Sequence, residues 1–243
     1  MPNRLPFTLS QSVSHLLEWL GNQTDPRQRI IIAMAGLPGS GKSTVATQLA
    51  DAVNAQTSPG TMVALGMDGF HLTKAQLAQF ADPVAALTRR GSPWTFDPQA
   101  LGEHLHALRG GLGVSWPGFE HGVGDPVPDA VHIAPSTRLV LIEGLYLLHT
   151  GHGWNLADQF DERWFLDVPT DVAMDRLIAR HMSVNGHSRE VAEARLAVND
   201  RLNAEIVWPT RASAQWLVAN PDQTGAWDSL TTCCPAIQPV QTG

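Results

Sequence analysis

The chain alternates short apolar runs with longer stretches in which apolar residues recur at helical spacing. That rhythm predicts strand–helix units and an α/β domain. Residues 29–35, 61–67, 137–142, 163–168 and 215–220 are short and apolar, and they predict five buried strands. In residues 9–20, Leu9, Val13, Leu16, Leu17 and Leu20 fall near one helical face, and Gly21 and Asn22 end the run. This predicts a helix on the sheet edge, with no chemistry assigned. Residues 43–53 continue the helical spacing, and residues 72–87 read as short helical pieces. Asp97 is a good N-cap and Pro98 a good first helical residue for a helix that runs to Gly110-Gly111. Residues 170–207 predict two polar helices, broken at Asn185-Gly186-His187-Ser188, with Ser188 as a fresh N-cap. Residues 116–126 are rich in Gly, Pro and aromatics and predict a long irregular binding loop. From Thr224 onward the chain is Thr/Pro/Gln-rich and is expected to fray.

Between the first strand and its helix lies Gly36-Leu37-Pro38-Gly39-Ser40-Gly41-Lys42-Ser43-Thr44, which fits G-x-x-x-x-G-K-[ST]. Strand, glycine loop and helix are the context a phosphate-binding loop needs. Glycines let the backbone curl with its N–H groups inward, forming a cradle for anionic oxygens. The helix that starts there adds its positive end. Lys42 is placed to reach the β and γ phosphates of ATP, and the Ser43 hydroxyl to ligate Mg²⁺.

In open α/β sheets, ligands bind at the carboxyl ends of the strands. The second strand ends in Asp68-Gly69-Phe70-His71. Asp68 at that place suits a general base for an attacking hydroxyl, a Mg²⁺ or substrate ligand, or a helix N-cap. The third strand ends in Glu143, which suits Mg²⁺ directly or through water. Arg89 and Arg90 fit either a solvated loop or a ligand contact. Few cations are present and Asp68 is near, so the ligand role is preferred. In the loop of residues 116–126, His121 is the candidate ligand contact. Arg176 and Arg180 are four apart, on one helical face. Two polar helices joined by a Gly turn suit a lid over a reacting phosphate, with arginines stabilising transferred charge. The same arginines could instead pair with Asp171 and Asp175.

Composition narrows the function classes. A length of 243 residues suits one domain, here with a lid at about residues 170–207. The net charge of −7 provides no surplus of cations for general nucleic-acid binding. The two cysteines, Cys233 and Cys234, are adjacent and near the end, and suit a reducing compartment rather than a disulfide or zinc site. The start, Met1-Pro2-Asn3-Arg4-Leu5-Pro6, has no long apolar run, and no stretch is apolar enough to span a membrane. A soluble cytoplasmic protein is expected.

In order along residues 29–220, GLPGSGKST, MDGFH, LIEGLYLL and DVAMDRLIARH resemble the P-loop kinases of the uridine kinase, phosphoribulokinase and bacterial pantothenate kinase family. RRGSPWTFD and PGFEHGVGDPVPD resemble its pantothenate kinase side, and a bacterial branch often labelled nucleoside or fructose-transport kinases is similar too. The resemblance implies a P-loop NTPase three-layer fold with a five-stranded parallel sheet in the order 2-3-1-4-5. It implies ATP with Mg²⁺, and transfer of the γ-phosphate to an alcohol hydroxyl of a small molecule: a sugar, nucleoside or pantothenate-like alcohol. It casts Asp68 as catalytic base, Glu143 as the acid near Mg²⁺ and substrate, and Arg176 and Arg180 as lid contacts to ATP. Phe70, His71, Arg90, Phe119 and His121 fall on the substrate side. Phe119 stands where an aromatic-x-His contact often has Tyr, so no phenolic hydrogen bond is available. Relatives often form dimers, which leaves a homodimer open. The alternative is a nucleotide-binding regulator or switch ATPase. The sequence has neither the N-K-x-D of a GTPase nor the LSGGQ-like stretch of a transporter ATPase.

Overall fold

The structure, a computed structural model, describes residues 7–25, 28–120, 122 and 124–220. His121, Cys233, Cys234, residues 1–6 and the tail from Thr224 lie outside the described residues.

Thr8 opens the first helix, α1 (Leu9–Asn22), with a capping box in which Gln11 is the reciprocal partner. The chain then enters β1 (Ile30–Gly36), whose seven residues are all buried. A strand buried on both faces must be apolar throughout, and Ile30-Ile31-Ile32-Ala33-Met34-Ala35 meets that demand. Next come α2 (Lys42–Gln56), β2 (Met62–Gly66) and a 3₁₀ turn over Met67–Phe70. Short helices α3 (Lys74–Leu77) and α4 (Pro83–Thr88) lead to α5 (Pro98–Arg109). As expected, Asp97 caps α5 by accepting from the Ala100 amide at 2.9 Å.

Strands β3 (Val114–Glu120) and β4 (Asp125–Ile133) follow, then β5 (Leu139–Gly144) and β6 (Glu162–Asp167). The chain closes with α6 (Thr170–Asn185), α7 (Arg189–Val198), α8 (Asp200–Val207) and β7 (Trp216–Ala219). The main sheet has the order β2-β5-β1-β6-β7, and every pairing in it is parallel. Numbered within that sheet, this is the expected 2-3-1-4-5. β1 is therefore central, and the glycine loop at its end sits between the ends of β5 and β6. α1 packs on α2 and on the edge strand β7.

Two expectations need correction. Residues 116–126 are not one irregular loop. β3 and β4 form an antiparallel ribbon with a register shift between Trp116 and Gly118. Pro117 and Gly118, read as loop signals, sit at that irregularity, where a bulge tolerates both. Trp116 anchors the ribbon: it is buried, and its Nε1 donates to the Gly66 carbonyl at 2.9 Å. The second lid helix is likewise not continuous. It breaks at Asn199, where φ is −133° and ψ is −64°. Asn199 Nδ2 donates instead to the Arg90 carbonyl at 2.8 Å. Among the described residues no helix is long and apolar enough to cross a membrane.

Candidate active site

The glycine loop is shaped by two positive φ angles, +77° at Gly39 and +90° at Gly41. Gly39 has a second constraint: a Cβ there would lie 2.3 Å from the Ala173 carbonyl oxygen of α6. Lys42 opens α2 and is almost wholly buried, with Nζ donating to the Leu37 carbonyl at 3.0 Å. Burial pushes the Lys42 pKa down, while the negative fields of Glu143 and Asp68 pull it back up. Asn220, just past β7, donates to the Ser40 carbonyl at 2.7 Å, and Arg176 Nη1 donates to the same oxygen at 3.2 Å. The loop is thus held from the sheet and from α6 together.

Opposite the loop, β5 and β2 deliver their acids. Ser43 Oγ donates to Glu143 Oε1 at 2.7 Å. Burial raises the Glu143 pKa; Lys42 opposes that rise, Asp68 adds to it, and the Ser43 hydrogen bond opposes it. Asp68 lies in the 3₁₀ turn rather than at its N-cap, which is Gly66. Its carbonyl accepts from the His71 amide at 3.1 Å and lies 2.8 Å from His71 Nδ1.

Lys42, Ser43, Asp68, Glu143, Arg176 and Arg180 line one cavity of about 550 Å³. A larger cavity of about 1220 Å³ runs along α5 and residues 153–159, and no phosphate-loop residue lines it. Size therefore does not mark the chemistry here; the convergence of charges in the smaller cavity does.

Of the residues expected on the substrate side, Phe70, His71, Arg90 and Phe119 are described and do not line the smaller cavity. Arg90 donates to the Leu72 carbonyl and to Asp125 Oδ1, each at 2.8 Å, and to the Gly124 carbonyl. Its partner Arg89 binds Ser92 Oγ and the Val198 carbonyl. These guanidinium groups tie the ribbon and α7 to the loop of residues 89–92. Phe119 lies under Arg90, 5.5 Å from guanidinium carbon to ring centroid. His71 packs between Phe96 and Phe119, with centroids at 3.9 and 4.6 Å. Phe70 is buried edge-on against Trp116. Phe70 and His71 line a separate cavity of about 290 Å³ that borders β4.

Asp200, at the start of α8, also lines the 550 Å³ cavity and was not signalled by any motif. α8 is seated by a buried polar clasp: Asn203 Nδ2 donates to the Gly91 carbonyl at 3.1 Å, and Ser92 Oγ donates to Asn203 Oδ1 at 3.3 Å. Asn220 was equally silent in the sequence, except for its place at the end of the last strand.

The donor set suits Mg²⁺. Ser43 and Glu143 offer hard oxygens already 2.7 Å apart. Among the described residues no group of three or more His, Cys, Asp or Glu could form a protein-only cage.

Residues 31–219 match the sequence model of the Phosphoribulokinase / Uridine kinase family. An ATP-dependent kinase-like protein, notR', from Aspergillus versicolor is 37% identical over 172 residues, which is 68% of this chain and 97% of that one. A candidate uridine kinase from Schizosaccharomyces pombe is 35% identical, over 74% of this chain and 79% of its own. The crystal structure of a candidate fructose transport system kinase from Silicibacter sp. TM1040 superposes with a TM-score of 0.76 at 34% identity, covering 87% of this chain and 98% of that one. With these matches added to the parallel sheet and the glycine loop, the chain belongs to the phosphoribulokinase/uridine kinase family of P-loop kinases.

Proposed function

We propose that the protein transfers the γ-phosphate of ATP to an alcohol hydroxyl of a small metabolite. The observation that carries this reading is the single cavity shared by the phosphate loop, Asp68 and the lid arginines. The hydroxyl oxygen attacks the γ-phosphorus in line, the bond to the β,γ-bridging oxygen breaks, and ADP leaves. Asp68 takes the hydroxyl proton and orients the attacking oxygen. Lys42, the loop N–H groups, Arg176 and Arg180 stabilise the charge on the transferring group without reorganising. Ser43 and Glu143 would hold Mg²⁺, which supplies neutralisation of the phosphate oxygens when bound. Arg176, already bonded to the loop at Ser40, couples α6 to the triphosphate site.

The test is ADP release from ATP and Mg²⁺, with and without a panel of hydroxyl compounds. A kinase releases ADP in step with a phosphorylated product and only when an acceptor is present. Slow release that ignores every acceptor identifies a switch ATPase, and binding without turnover identifies a regulator.

A further inference from the structure

The charges around the cavity divide into cations near the phosphate loop and carboxylates that nothing in a triphosphate needs. Lys42 and Arg176 both bond to loop carbonyls, at Leu37 and Ser40. Lys42, Arg176 and Arg180, together with the Mg²⁺ that Ser43 and Glu143 would hold, suffice to balance a triphosphate tail. Arg89 and Arg90 do not line this cavity: Arg89 bonds Ser92 and the Val198 carbonyl, and Arg90 bonds the Leu72 and Gly124 carbonyls and Asp125. Two carboxylates remain, Asp68 and Asp200. Both line the cavity, and their negative fields reach the Tyr146 hydroxyl, as does the positive field of Arg89; that hydroxyl donates to the Gly91 carbonyl at 2.6 Å. Asp200 does not arrive there by a loose side chain. The Asn199 and Asn203 bonds to the backbone of residues 90 and 91 fix the start of α8.

Resting on the kinase reading above, we infer that the acceptor is an uncharged polyol or an amino alcohol, and that Asp200 accepts a hydrogen bond from a second O–H or N–H on it. Asp68 then handles the reacting hydroxyl and Asp200 the orienting one. A carboxylate or phosphate on the acceptor would face these two acids across the cavity, where like charges repel. A neutral or positively charged donor makes a charge-assisted hydrogen bond there instead. Asp200 is also partly desolvated: burial raises its pKa, and His181 opposes that rise. A donor from the acceptor relieves the same penalty, which gives the site a reason to prefer one.

The experiment measures ADP release with matched acceptors on one carbon skeleton: polyols, amino alcohols, sugar acids and sugar phosphates. It compares the wild-type protein with Asp200→Asn. For the wild type, kcat/KM should favour the neutral or cationic members by on the order of 10²-fold. Asp200→Asn should raise the KM of the preferred acceptor about 10-fold, leave the KM of ATP unchanged, and narrow the preference over anions. An anionic compound as the best acceptor overturns the inference and leaves the kinase reading standing. An unchanged acceptor KM in a folded Asp200→Asn overturns it too. No ADP release with any class overturns both. If the variant fails to fold, the wild-type panel decides alone.

Discussion

Ser43 Oγ and Glu143 Oε1 lie 2.7 Å apart, joining the first turn of α2 to the end of β5. The contact brings together the two side chains best suited to a hard cation. Ser43→Ala should therefore weaken the apparent affinity for Mg²⁺ by about 10- to 100-fold, the usual loss when a supporting ligand is removed. A Mg²⁺ titration of activity at saturating ATP reads this; an unshifted midpoint contradicts it.

Glu143 also predicts a pH dependence of stability in Mg²⁺-free buffer. Its pKa is raised by burial, so the folded protein holds that proton more tightly than the unfolded chain does. Stability from this group is fully present below the unfolded value and falls as pH climbs through the raised folded value. Asp200, raised for the same reason, acts with the same sign. Melting temperature measured across this range should decline less steeply with pH in Glu143→Gln than in the wild type.

Gly39 and Gly60 both have positive φ, +77° and +80°, yet their surroundings differ. A Cβ on Gly60 meets nothing within 4 Å, whereas one on Gly39 collides with the Ala173 carbonyl. Gly60→Ala should cost only the backbone strain, about 1 kcal/mol. Gly39→Ala should cost about 3 kcal/mol, and it should displace α6 from the loop. Denaturant unfolding ranks the two, and nucleotide binding should fall only for Gly39→Ala.

The first half of the site is legible in the sequence because it is local. An apolar strand, a glycine loop and a helix are consecutive, and acids at Asp68 and Glu143 simply follow apolar runs. The strand order came from resemblance rather than from spacing, since no local feature tells β5 to lie between β1 and β2. What stayed hidden depends on contacts far apart in the chain. The start of α8, and Asp200 with it, is held by Asn199 and Asn203 on the backbone of residues 90 and 91, more than a hundred positions earlier. The partners of Arg90 at Leu72, Gly124 and Asp125 likewise come from segments whose meeting the sequence does not announce. The ribbon was missed because its Pro and Gly occupy a bulge while Trp116 supplies the anchoring.

The clasp at Asn203 can be tested separately from the chemistry. Asn203 is buried, and its side chain bonds Gly91, Ser92 and Asn199. Asn203→Ala should lower stability by about 1–3 kcal/mol, because buried partners lose their hydrogen bonds. It should also raise the KM of the acceptor while leaving that of ATP nearly unchanged, since the phosphate loop is held independently by Asn220 and Arg176.

The account rests most heavily on Asp68 acting on the acceptor hydroxyl, within a cavity whose other wall grips ATP. The direct measurement is acceptor-dependent turnover of Asp68→Asn beside its affinity for a non-hydrolysable ATP analogue. Turnover lower by roughly 10²- to 10⁴-fold with analogue affinity preserved is the predicted result. Turnover equal to the wild type in that variant would contradict it.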